Sequence, residues 1–403
     1  MDFMKRNQHI CHITSAHPML DTRIFHRECG SLRKSGFDVT LITPVNGESQ
    51  IHQVQGINIV PLPKPRFTFI RRLVITWLAA RLAVKTRADL YHFHDPELIP
   101  SMRWLSHHTN KPVIWDAHES YIDTIKNYHF ARFPLVGEGF ANWFNHMELL
   151  ACKQDFAGVV TVTDTMAQRY QLHNVPTCVL SNFFDLSKAH FPPRYPSSVK
   201  PRLINTGSLF LERGVLEMAD AFHLLRREMD CQIAFWGNFQ PPQLAERIRQ
   251  RVMDDSVAEG DVFIGGPYPW KFLVTNLIPT GWVGCVLLAL DDRSACITHA
   301  NRLFEYWANG LPVIANKGTE SARIVREVGG GILIDEINPR EIADAFSKLV
   351  KDRELARKMG NAGRKAVEEK FNWDYNFSNL LKFYASFGVI VPKNTPIEGN
   401  DIS

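Results

Sequence analysis

No cysteine in this sequence stands in a C-x-x-C pair. The seven cysteines, at positions 11, 29, 152, 178, 231, 285 and 296, are odd in number and scattered. That argues against a disulfide framework or a zinc knuckle. Several sit in apolar runs such as VGCVLLAL around Cys285, where a buried, reduced thiol is expected. Long apolar runs are missing as well, since none approaches the roughly 20 residues that cross a bilayer. The start, MDFMKRNQHICHIT, has no apolar core followed by a small-residue cleavage site, so no secretory leader is expected and the cytoplasm is the expected location. No repeat of solenoid period is found. Neither sign of charge dominates: 46 Lys and Arg face 42 Asp and Glu, a formal charge of +4. With no nucleic-acid module beside it, that balance does not point to a nucleic-acid partner.

What is present is a globular composition, 45% hydrophobic and 22% charged over 403 residues, long enough for two or three domains. Short apolar runs alternate with helical stretches. In the first half His9–Thr14, Val39–Thr43, Ala88–Phe93, Pro112–Asp116 and Phe156–Val162 read as strands, with a helix over Arg23–Ser35. Their almost unbroken apolar character fits a parallel sheet covered on both faces. The run FPPRYPSSVKP at 191–201 reads as a stiff linker. Alternation then restarts, with strands at Arg202–Thr206, Gln232–Trp236, Asp261–Ile264, Cys285–Leu290, Pro312–Ala315 and Gly331–Ile334. Helices are expected at Val215–Glu228, Pro242–Asp254, Asn301–Asn309, Thr319–Val328, Pro339–Val350 and Asp352–Lys370. The expected domains are 1–190 and 202–370, followed by a helical segment at 371–388 and a frayed tail at 389–403. The triple glycine Gly329–Gly331 reads as a helix C-cap and tight turn.

Four segments carry a family resemblance: HITSAHPMLDTRIFHRECGSLRKSGFDVTLITP; DLYHFHDPELIP with VIWDAHES; NTGSLFLERG; and NRLFEYWANGLPVIANKGTESARIVREVGGGILID. Together, in order and spacing, they resemble the family-4 (group 1) glycosyltransferases of the GT-B fold, of the kind used in bacterial surface polysaccharide biosynthesis. The likeness runs from about His9 to Phe387. It implies two Rossmann-like α/β domains with a nucleotide-diphosphate sugar held in the cleft between them, mainly by the second. It also implies retaining transfer to a glycan or lipid-linked acceptor on the first domain, and a final helix crossing back onto that domain. A catalytically silent homologue and a non-transferase nucleotide-sugar enzyme, such as an epimerase, stay open.

The candidate residues follow from the motifs. Glu305, at the family's donor-glutamate position, has a carboxylate suited to a ribose diol. Arg213, between Gly207 and Gly214 and just ahead of a helix, could meet a diphosphate together with backbone amides and the positive helix end. Ser208 stands where relatives often carry a second basic residue. The first glutamate of the family's pair is replaced by Ile297, with Asp291 and Asp292 out of register. Thr298, His299, Asn301 and Leu303 are further donor-site candidates. His118 follows the strand VIWDA, where open α/β sheets place ligands, and could donate a hydrogen bond to the transferred sugar or a phosphate. Glu119 adjoins it. Asp21 either orients the acceptor or caps the helix after it. His94 and Asp95 are expected to contact the acceptor, and no metal is expected.

One segment remains. Lys64 to Arg87 contains seven Lys or Arg and no Asp or Glu, interleaved with Phe67, Phe69, Ile70, Leu73, Val74, Trp77 and Leu78. Such a mixture suits an anionic membrane surface, although part of it must pack as a crossover helix. The expectation is a peripheral protein at the inner face of the cell membrane.

Overall fold

The computed structural model describes residues 7–45, 52–64, 71–118, 121–125, 134–183, 185, 200–254, 257–290 and 299–392. Two compact units emerge, Met1–Asn182 together with Asn376–Ser403, and Phe183–Tyr375. The division thus falls at Asn182, ahead of the expected 190, and most of the 191–201 linker lies outside the described residues.

The first unit is an eight-stranded sheet. Its strands are β1 (His9–Ile13), β2 (Asp38–Pro44), β3 (Gln53–Val54), β4 (Ile57–Leu62), β5 (Leu90–Phe93), β6 (Val113–Ala117), β7 (Gly158–Thr161) and β8 (Thr177–Val179). Their order is β3-β4-β2-β1-β5-β6-β7-β8, parallel except for the antiparallel β3–β4 pair. The order reverses between β1 and β5, a topological switch point, and ligands of open α/β sheets bind beyond the carboxyl ends of strands there.

Strand alternation explains what each face does. Cys11, Ile13, Tyr91, Phe93, Val113 and Trp115 point into one apolar cluster, against Ala79, Ala80 and Ala83 of helix Thr76–Thr86. His12 and His92, paired in register, occupy alternate positions together with Asp116. All three are fully buried. A polar column in otherwise apolar strands needs partners, and these set up the site described below.

The second unit is a six-stranded, wholly parallel sheet of β9 (Arg202–Leu209), β10 (Gln232–Phe239), β11 (Val262–Gly265), β12 (Val283–Val286), β13 (Val313–Asn316) and β14 (Gly331–Ile334). The order is β11-β10-β9-β12-β13-β14, with its reversal between β9 and β12. Here both faces are apolar. Leu203, Ile233 and Phe235 join one core cluster, whereas Ile204, Ala234 and Trp236 join the other. Gly329 ends helix Glu320–Val328 in the left-handed region at φ 72° and returns its amide to Val325, the expected C-cap.

β4, β3 and β8 are absent from the sequence reading, as are helices Ile99–Thr109, Pro134–Gln154 and Asp164–Gln171. Among the described residues no helix is long and apolar enough to cross a membrane, and the six described cysteines are buried and unbridged.

The buried Tyr306 ties helix Asn301–Ala308 to β9 at Thr206. Its hydroxyl accepts from the Thr206 amide at 2.9 Å and from Thr206 Oγ1 at 3.0 Å. Tyr306→Phe leaves that amide buried without a partner, an expected loss of about 1–3 kcal/mol. Urea unfolding checks this, and a midpoint equal to the wild type contradicts it.

Candidate functional site

In the first unit the site is assembled from the loops after β1, β5 and β6. Asp21 caps helix Thr22–Cys29, with Oδ1 accepting from the amides of Arg23 at 2.8 Å and Ile24 at 2.9 Å. Of the two roles left open for Asp21, the cap is the one seen. That cap aims the buried Arg23 inward. Its guanidinium donates to both oxygens of Asp116 at 3.0–3.1 Å. It also donates to the Leu180 carbonyl and Asn182 Oδ1, each at 2.9 Å, and lies 2.9 Å from Glu28 Oε1.

Burial alone would raise the Asp116 pKa, but Arg23 and then His94 hold its carboxyl well below the usual range. Glu28 goes the other way: burial pushes its carboxyl well up, Arg23 opposes, and the Asp116 charge adds to the rise. Asp116 is therefore the ionised partner of Arg23. It accepts from His94 Nδ1 at 3.1 Å, and His94 Nε2 in turn lies 3.0 Å from His12 Nδ1. His92 completes the column, with Nδ1 2.6 Å from the Tyr384 hydroxyl. Burial lowers the pKa of both His12 and His92 well below the ordinary value.

Side-chain ligand atoms of Glu28, His92, His94 and Asp116 all lie within 4.8 Å of one another, a donor set of the kind a transition metal accepts. Arg23, however, already engages both carboxylates, and His94 spends Nδ1 on Asp116. The cluster reads as a self-neutralised network.

Above it lies the partly open layer. The His118 side chain is 11% exposed, with Nδ1 3.9 Å from Asp116 Oδ1, and His17 meets it edge to face at 5.2 Å. Burial first, outweighing the pull of Asp116, lowers the His118 pKa to about 4, so the ring is neutral near pH 7. His17 differs: burial disfavours its charge, but the Asp95 carboxylate 3.0 Å away outweighs this and raises its pKa. Asp95 accepts from Thr14 Oγ1 at 2.7 Å and the Ser15 amide at 2.6 Å. Against the effect of burial, His17 and these donors hold its carboxyl far down. The arrangement offers a neutral imidazole beside one whose protonated form the Asp95 carboxylate favours, suited to hydroxyl and phosphate oxygens respectively.

Two expectations are corrected here. His94 and Asp95 are buried, at 0% and 2%, and bond within the protein, so they support the site from beneath instead of touching an acceptor. Glu119 lies outside the described residues. The sequence reading missed His12, His17, Glu28 and Asp116, and took Arg23 only as a helix start. For His12 and Asp116 the available signal was an imidazole or a charge inside a strand-like apolar run.

In the second unit, Gly207 and Ser208 are not loop residues as expected. β9 runs on to Leu209 and pairs them with Gly237 and Asn238. The turn is Leu211–Arg213, ended by Gly214, whose left-handed φ of 62° precedes helix Val215–Arg226. A Cβ there would also meet Ile337 at 2.8 Å and Leu287 at 2.9 Å. Arg213 folds over its own turn, donating to the Ser208 carbonyl at 2.6 Å and lying over the Phe210 ring. Glu305, half-buried on helix Asn301–Ala308, accepts from Trp270 Nε1 at 2.8 Å. His299 stacks on Phe183 with ring centroids 5.3 Å apart. Asn301 is exposed. Leu303, expected at the donor site, is fully buried in the core, which leaves its side chain a packing role. Thr298, with Asp291, Asp292 and Ile297, lies outside the described residues.

A family model described as Glycosyltransferase Family 4 matches residues 22–188, and one described as Glycosyl transferases group 1 matches residues 301–366. A GDP-mannose-dependent alpha-(1-6)-phosphatidylinositol monomannoside mannosyltransferase of Mycobacterium tuberculosis is 26% identical over 203 residues. The match covers 49% of this chain and 50% of that relative, so only about half of the relative's length is spanned. Among solved structures, a sucrose-phosphate synthase of Thermosynechococcus elongatus superposes with a TM-score of 0.70 at 16% identity, covering 95% of this chain and 99% of its own. Anabaena HepE, solved with UDP and glucose, gives 0.66 at 12% identity, over 94% and 100%. At those identities the likeness is one of fold.

The lowered histidine pKa values fix a pH dependence. His12, His92 and His118 bind protons less readily when folded than when unfolded. Stability is therefore present above the unfolded value near 6.5 and is lost as pH falls from there towards about 4. The raised His17 and Glu28 pKa values act the opposite way across that window, so the test is the difference between variants: melting midpoints of His118→Asn are expected to lose less, relative to wild type, as pH falls. Equal pH dependence in wild type and His118→Asn contradicts a buried neutral His118.

Proposed function

Taking as premise that the chain belongs to the family-4, group 1 glycosyltransferases of the GT-B fold, we propose that it moves a sugar, with retention, from a nucleotide-diphosphate sugar to a hydroxyl of a glycan or lipid-linked acceptor. The observation that carries this reading is the pairing, within the second unit, of a glycine turn and helix N-terminus at the end of β9 with the Trp270-held carboxylate of Glu305. Backbone amides and the positive end of helix Val215–Arg226 suit a diphosphate. Arg213 swings from the Ser208 carbonyl to the leaving phosphate, where a charge-assisted bond stabilises the developing charge. Glu305 accepts from the ribose diol. The UDP seen with Anabaena HepE belongs to that protein and supports a nucleotide donor here.

In the first unit the acceptor hydroxyl takes its place beside His118. A neutral imidazole acts there as a hydrogen-bond partner more than as a proton carrier, because a pKa near 4 makes it a weak base. The bond from the anomeric carbon to the phosphate oxygen breaks, its electron pair leaving with the phosphate. The acceptor oxygen attacks the same face, and its proton passes to the departing phosphate oxygen. No metal is assigned to the reaction.

The membrane reading rests on the basic segment. Helix Thr76–Thr86 buries Ala79, Ala80 and Ala83, yet Leu73, Val74 and Trp77 are exposed, as are Arg81, Lys85 and Arg87. Phe67, Phe69 and Ile70 lie outside the described residues. Exposed aromatic and aliphatic groups among cations suit adsorption to anionic lipid at the inner membrane face.

Removing either donor contact separates the roles. Glu305→Ala is expected to weaken nucleoside diphosphate binding about tenfold or more, the scale of one charge-assisted contact. Arg213→Ala is expected to lower turnover more than affinity, by about 100-fold. Calorimetric titration with UDP and GDP, alongside donor-turnover rates, checks both. Unchanged values in both variants sink the donor-site assignment.

A further inference from the structure

The first unit contains a cavity of about 650 Å³ that the catalytic reading does not use, within the size range of small-molecule sites. Ile99, Tyr121, Ile125, Phe144 and Met147 form its walls. Leu73, Phe140 and Trp143 stand at its mouth, each more than 40% exposed. The polar groups on its lining are committed elsewhere. Glu97 accepts from Ser15 Oγ at 3.1 Å, Arg103 donates to Asp155, and Glu148 accepts from Trp115 Nε1 and the Tyr170 hydroxyl. What the cavity offers a ligand is therefore hydrocarbon surface.

Its lining has neighbours of two kinds. Leu73 is followed along the chain by the exposed Val74 and Trp77 and by the exposed cations Arg81 and Lys85. Glu97 bonds the loop that carries His17, and the Tyr121 ring lies 6.3 Å from His118, with its hydroxyl 3.5 Å from the His94 carbonyl. The lining thus includes one residue next to a cationic, apolar surface and two next to the candidate acceptor site.

We propose that this cavity holds the aliphatic chain of the acceptor, a lipid bearing an anionic phosphate, so that the acceptor's sugar or hydroxyl end is delivered to His118. The assignment to an acceptor rests on the transferase reading, whereas the chain site rests on the cavity alone. Shape and burial of apolar area supply affinity, and the exposed Arg81 and Lys85, on the helix that follows Leu73, favour an anionic lipid over a neutral one.

The test uses the whole chain and dodecyl phosphate below its micelle concentration, with butyl phosphate as the short-chain control, both by calorimetric titration. Saturable binding of one dodecyl phosphate per chain is expected, with butyl phosphate at least tenfold weaker. Met147→Trp, which fills the cavity, is expected to reduce dodecyl phosphate affinity at least tenfold. Trp143→Ser, at the exposed mouth where folding is not at stake, is expected to reduce it several-fold. Equal affinity for both phosphates, or unchanged binding in Trp143→Ser and in folded Met147→Trp, overturns the proposal. So does a wild-type dimer by sedimentation that Trp143→Ser dissociates, with no dodecyl phosphate bound, since a second copy would then cover the mouth. Wild-type donor turnover is read separately. Chain binding without turnover leaves the chain site standing and removes its assignment to an acceptor, while turnover without chain binding overturns the chain site and leaves the transferase reading standing.

Discussion

The Arg23–Asp116 ion pair is the constraint on which the first unit's site depends. Two charges removed from water are tolerable only with close, well-bonded geometry, and losing one partner of a buried pair typically costs about 3–5 kcal/mol. Here the guanidinium meets both Asp116 oxygens and closes its remaining bonds on Leu180 and Asn182. In doing so it fastens the first helix to β6 and to the chain just beyond β8. The ionised Asp116 then fixes the tautomer of His94, which orients His12. His118 is the member of this column that reaches the surface. Its lowered pKa follows from burial, which outweighs the pull of the Asp116 carboxylate beneath it.

The alternation of strands and helices was legible because both sheets are covered on both faces, so each strand stands out as a short apolar run. Elements that break that pattern were not legible. β4, INIVPL, carries a proline, tolerated because Pro61 sits beyond the β3 pairing and faces only β2. β8 is three residues long. Helix Pro134–Gln154 holds Leu135, Val136, Phe140 and Trp143 exposed, which blurs the apolar stripe that marks a surface helix. β9 outran its expected end because Gly207 and Ser208, turn formers by composition, pair with β10.

Motifs in the sequence named Glu305, Arg213 and His118 as candidates, and the structure supplies their surroundings. The site was opaque where function depends on what lies beneath. His94 and Asp95 look like exposed ligands in DLYHFHDP, but burial makes them supports. Asp116 looks like one more strand residue in VIWDA, and only sheet register brings it under Arg23. His17 gains its role through Asp95, 78 positions away in the chain, a pairing no local pattern carries.

The most direct measurement follows the anomeric proton by NMR as the wild-type chain consumes an α-linked nucleotide-diphosphate sugar in the presence of an acceptor. The account expects the donor signal to be replaced by a product whose first-formed glycosidic linkage keeps the donor's configuration. An inverted first product contradicts front-face transfer, and a donor panel left intact contradicts the transferase assignment itself.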